Sequence, residues 1–157
     1  MSHRSRWVPM LLPFLLACGG GADQPAPGGS QPAAAGSDLT PFQQEHGIGP
    51  ITEPITLGAV NEELAEEGEE VFVTMCSACH KMAEKYVGPA LGDVTTRRSP
   101  AYVMNMILNP QEMVERHPVA KQLLAEHMTF MPNQGLTQEQ ARQVLEYLRT
   151  QAPGGGQ

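Results

Sequence analysis

The pattern of apolar positions changes along the chain, and each change marks a segment. Residues 7–17, WVPMLLPFLLA, are a short apolar run broken by Pro9 and Pro13. Residues 19–37, GGGADQPAPGGSQPAAAGS, carry no large apolar side chain. Residues 39–58, LTPFQQEHGIGPITEPITLG, place Phe42, Ile48, Ile51, Ile55 and Leu57 among prolines and glycines without a helical period. That pattern predicts an extended arm whose apolar residues cover a surface. From Asn61 onward the period becomes helical. Leu64, Gly68, Phe72 and Cys76 recur every four residues and line one face, with Asn61 as N-cap and acids in the first turn. Ser99 and Pro100 open a second helix with Val103, Met106 and Ile107 as its stripe, and Pro110 stops it. Pro118 opens a third. Thr137 and Gln140 form a capping box ahead of a stripe of Ala141, Val144, Leu145 and Leu148. No alternating strand pattern of any length occurs. The expected fold class is all-α, with several short helices and long connections.

Composition adds the organisation. A chain of 157 residues suggests one domain. His3, Arg4 and Arg6, the apolar run, Ala17 and then Cys18 read as a signal peptide of lipoprotein type over 1–17, with Cys18 as the lipidated first residue of the mature chain. Residues 18–38 read as a flexible tether with a reach of roughly 25 Å, 39–60 as the arm packed on the domain, 61–152 as the domain, and 153–157 as a disordered tail. The formal charge is −7. Cleavage before Cys18 removes two arginines and leaves 10 − 2 = 8 basic against 17 acidic residues, or −9. That balance excludes nucleic acid as a partner, because phosphate binding needs a basic footprint. The acid run Glu62, Glu63, Glu66, Glu67, Glu69 and Glu70 reads as a solvated face.

The chemistry concentrates in FVTMCSACHK, residues 72–81. A redox Cys-x-x-Cys needs a βαβ context, which is missing. A structural zinc site needs four ligands, and adjacent Cys79 and His80 fit poorly around one tetrahedral ion. A covalently attached haem accounts for Cys76, Cys79 and His80 together: each thiol adds to a vinyl group, and the histidine becomes the proximal iron ligand. An exported chain favours this, since two free thiols would otherwise oxidise.

Taken in order, GEEVFVTMCSACHK, VGPAL and MPNQGLTQEQARQVLEYL resemble a bacterial class I cytochrome c over roughly residues 64–150. The resemblance implies several short helices wrapped around one haem c. It implies that Gly68 on the first helix meets the aromatic Tyr147 on the last, with Phe72 beside them. It implies that Gly88-Pro89 forms the turn whose proline carbonyl accepts from His80, a contact that increases ligand basicity. Arg97, Arg98 and Tyr102 are candidates for the haem propionates, which need partners when partly buried. The tryptophan that the family often has in this region is missing, since Trp7 lies in the signal. For the sixth ligand, Met131 is expected over Met128. Pro132 holds Met131 extended in a loop, and the family ligand is a methionine commonly followed by proline. His117 and His127 are the alternatives.

A haem with both axial positions filled describes an electron carrier and not an enzyme. The expectation is a monomeric carrier, lipid-anchored on the periplasmic side of a bacterial membrane. It would take single electrons from a quinol-oxidising complex to a haem–copper oxidase or a reductase of the nitrous oxide reductase type. Lys81 and Lys85 are few, so the docking patch is expected to be largely apolar. The alternative is a haem-based sensor or ligand binder with a weak or absent sixth ligand. A dihaem peroxidase would need a second attachment motif.

Overall fold

The computed structural model describes residues 38–154. The signal segment, Cys18, nearly all of the tether and residues 155–157 lie outside the described residues. Seven helices follow in order: α1 (Pro41–His46), α2 (Glu62–Met75), α3 (Val94–Arg97), α4 (Pro100–Leu108), α5 (Pro110–Arg116), α6 (Pro118–His127) and α7 (Gln138–Thr150). No strand occurs among the described residues, and no helix there is long and apolar enough to cross a membrane.

Local chemistry sets the helix ends. The Asn61 side chain accepts from the Leu64 N–H, and the Ser99 hydroxyl accepts from the Tyr102 N–H. Thr137 and Gln140 exchange both bonds of a capping box. Pro110 ends α4 because it has no N–H to donate, and it starts α5 because its fixed φ suits the first helical turn.

Among the described helices, α2 packs most extensively against α7. Phe72 of α2, Val103, Met104 and Ile107 of α4, and Ala141, Val144, Leu145 and Leu148 of α7 form one buried cluster. Gly68 permits the closest approach. A β-carbon on it would lie 2.0 Å from the Gln143 carbonyl oxygen. The atoms nearest the glycine are α7 backbone, and the Tyr147 ring packs on Phe72 beside it, ring centroids 5.3 Å apart. Buried Glu146 closes the other side. Its carboxylate accepts from Arg142 and Arg149 and from the Asn61 N–H that begins α2.

The arm of residues 39–60 is not extended throughout, which corrects the reading of its sequence. Pro41–His46 forms a helical turn, because Thr40 and Gln43 make a capping box with Pro41 in the first helical position. Leu39 and Ile48 are buried in a second cluster with Tyr102, Met113, Val114 and Ala120. Fully buried Asn105 of α4 fastens the segment that follows. Its amide donates to the His46 and Ile51 carbonyls and accepts from the Ile51 N–H, each at 3.0 Å. His117, also buried, donates to the Gln44 carbonyl at 3.2 Å and packs its ring edge on Tyr102. Burial holds the His117 pKa below the usual histidine value.

The haem site

Beyond Met75 the chain leaves the α2 axis and turns at the cysteines. The Cys76 and Ser77 N–H groups both donate to the Phe72 carbonyl, and the Cys79 and His80 N–H groups donate to the Cys76 carbonyl. This turn brings both free thiols and the His80 ring to one cleft. Burial, with neighbouring Cys79 adding to it, pushes the Cys76 thiol up to about 11.

Residues 81–92 fold back under the imidazole. The Gly88 N–H donates to the Cys79 carbonyl, and the Leu91 N–H to the Lys81 carbonyl. Pro89 presents its carbonyl 3.0 Å from His80 Nδ1. A carbonyl can only accept, so Nδ1 carries the proton and Nε2 keeps its lone pair for a metal. Burial lowers the His80 pKa, against the Pro89 bond, and nearby His127 lowers it further. The ring is thus neutral at neutral pH, the form that ligates. Gly88 has to be glycine here, because a β-carbon would sit 2.4 Å from His80 Cε1.

The rest of the cleft is apolar wall. α4 contributes Val103, Met106 and Ile107, α7 contributes Val144 and Leu148, and the loop before α7 contributes Phe130 and Met131. With its mouth included, the cleft encloses about 1320 Å³. Met131 lines it. Met128 does not; it is 88 % exposed at the end of α6. Of the two other candidates, His117 lies off the cleft and His127 lines it.

Of the polar residues on this wall, Tyr102, Arg98 and Arg97 are the ones expected at the haem carboxylates. The Tyr102 hydroxyl is buried without a protein partner, and burial raises its pKa against the pull of Arg98. The Arg98 guanidinium lies 5.4 Å above the Tyr102 ring. Arg97 also lines the cleft, but its guanidinium is held by the Asp93 carboxylate at 2.8 Å and the Ala90 carbonyl at 3.2 Å. Asp93, four residues before Arg97, is the sequence signal for that competition. An apolar cleft with two reduced thiols, a neutral imidazole with a free Nε2 and an orphaned phenol fits a covalent haem with carboxylate side chains.

An all-α domain with such a cleft and a Cys-x-x-Cys-His turn defines a c-type haem protein. The sequence matches the family model described as Cytochrome c over residues 65–152. A cytochrome c from Rhodothermus marinus has a solved structure 48 % identical to this chain, with a TM-score of 0.67, covering 71 % of this chain and 97 % of that one. An engineered form of that cytochrome is 47 % identical with a TM-score of 0.66 and the same coverage. A cytochrome c-553-like protein of Synechocystis sp. is 31 % identical over 64 residues, which span 32 % of this chain and 61 % of that relative's length. The chain belongs to the cytochrome c family: it is a haem-based electron-transfer cytochrome whose cofactor is a covalently attached haem c.

Proposed function

We propose that this cytochrome is a dedicated one-electron carrier of a respiratory chain, and not an enzyme, with His80 and Met131 as its axial ligands. The observation that carries this reading is the placing of Met131 on the wall of the cleft that also holds His80, while Met128 points to solvent. When bound, the haem supplies one-electron chemistry between ferric and ferrous iron. Cys76 and Cys79 hold it by thioether bonds. Pro89 fixes the His80 ring and increases its basicity. A methionine donor would favour the reduced state, and with His80 and Met131 both bound the iron would have no position left for a substrate. Valine, isoleucine, leucine and phenylalanine side chains exclude water from the cleft. Tyr102 and Arg98 are placed to hold a propionate, and Arg97 could join only by loosening Asp93.

The cleft mouth has an apolar rim. Met75, Val87 and Phe130 line the cleft and are 36 %, 36 % and 44 % exposed. Lys81, over the Tyr86 ring, and Lys85, facing Glu126, do not line the cleft, and the rim beside them is mainly apolar. Such a rim suits brief, small-area docking with weak salt dependence. The partners in this reading are a quinol-oxidising complex as donor and a haem–copper oxidase or nitrous oxide reductase-type enzyme as acceptor.

Two expected results test the reading. Native ferric protein shows the weak far-red band of sulfur-to-iron ligation; Met131→Ala abolishes it and Met128→Ala leaves it. The reverse pattern moves the ligand to Met128. For the proposed anchor at Cys18 on the periplasmic side, Cys18→Ser shifts the protein from the membrane fraction to the soluble one or blocks its processing. Unchanged membrane association contradicts a lipid anchor.

A further inference from the structure

The haem cleft holds a second imidazole. His127, the last residue of α6, lines the same cleft as His80, and its side chain is only 5 % exposed. Its Nδ1 is buried without a hydrogen-bond partner. Its Nε2 lies 3.8 Å from the Glu126 carboxylate. His80 has one ring nitrogen held by a carbonyl at 3.0 Å and the other left for iron; the His127 contact is longer, beyond hydrogen-bond range, but likewise lies at one nitrogen only. A carboxylate beside the far nitrogen is the usual outer support of a metal-bound histidine.

The segment that carries Met131 is loosely fastened. Among the described residues, 129–136 make no backbone–backbone hydrogen bond. Asn133 supplies the tie, donating to the Leu108 carbonyl at 3.3 Å and accepting from the Gly135 N–H. The segment begins at Met128, whose φ of 50° puts a non-glycine residue in the left-handed region. His127 is on the helix side of Met128 and Met131 on the loop side. The two donors therefore belong to separate segments, and one can leave the iron without the other.

We infer that His127 is a reserve iron ligand of this cytochrome: when the Met131 sulfur leaves the iron, the His127 imidazole bonds to it in the sixth position. This rests on Met131 being the resident ligand. The exchange breaks one sulfur–iron bond and forms one nitrogen–iron bond, with no change in electron count. The other donors nearby are less suited. Lys81 and Lys85 are exposed and do not line the cleft, and His117 lies off it. Met106 lines the cleft, but a sulfur ligand would be recognised by its far-red band.

The test uses the holoprotein at pH 7, with haem retained through both thioethers. Met131→Ala is compared with Met131→Ala/His127→Phe, in which phenylalanine keeps the ring bulk without a nitrogen. In the single variant the far-red band is lost while the ferric iron stays low-spin. In the double variant it becomes high-spin. If His127 occupies the iron nine-tenths of the time, the reduced double variant binds carbon monoxide about tenfold more tightly than the single one. Far-UV circular dichroism checks that both variants are folded. A single variant that is already high-spin, with the carbon monoxide affinity of the double, overturns the reserve role and leaves Met131 as resident ligand. A far-red band surviving in Met131→Ala overturns both.

Discussion

Gly68→Ala lowers the melting temperature of the holoprotein by roughly 8 °C or more. The added methyl would lie 2.0 Å from the Gln143 carbonyl oxygen, 2.4 Å from its carbon and 2.9 Å from the Val144 nitrogen. These are backbone atoms of α7, so no side chain can rotate to make room. The α2–α7 contact has to open along a buried stripe that includes Phe72, Val144 and Leu145. Overpacking of this kind costs about 3 kcal/mol. Alanine returns about 1 kcal/mol of helix propensity, leaving a net loss of about 2 kcal/mol, which in a domain near 100 residues is that shift. Thermal unfolding followed at the haem absorbance measures it. An unchanged or higher melting temperature would show that the crossing is not limited by this contact.

Asn105→Ala detaches the arm at the cost of about 3 kcal/mol. The side chain is fully buried and makes three hydrogen bonds, two donated to the His46 and Ile51 carbonyls and one accepted from the Ile51 N–H. Each buried backbone group left unpaired costs about 1–3 kcal/mol. The total is capped because the arm can lift away and reach water. Asn105→Asp turns an acceptor oxygen onto both carbonyls and buries a carboxylate, so it destabilises at least as much as alanine. Hydrogen exchange at the Ile51 amide reads the effect directly. Exchange as slow as in the native protein would mean that the apolar contacts of Leu39 and Ile48 hold the arm without Asn105.

The parts legible in the sequence were those with a local cause. Asn61, Ser99 and Thr137 cap the helices they precede, and the apolar stripe of α7 is the buried one. The Cys-x-x-Cys-His turn is also local, because its backbone bonds span three to five residues. The helices α3 and α5 escaped notice because each is short, four and seven residues, and neither has a side-chain cap. The α1 turn carried a capping box, but its prolines and glycines suggested an extended chain. Long-range contacts were harder to read. Nothing near Gly68 in the chain distinguishes an aromatic ring from the α7 backbone as its neighbour. The link from Asn105 to Ile51 crosses 54 residues and has no local signature. His127 sits on the cleft because α6 ends there, and its position became evident only with the fold.

The central claim is that Cys76 and Cys79 carry the haem covalently, with His80 behind it. Acid–acetone extraction of the purified red protein tests it most directly. The account predicts that the colour stays with the precipitated protein, and that Cys76→Ala/Cys79→Ala releases it into the organic phase. Colour extracted from the native protein would contradict covalent attachment and with it the assignment of these thiols.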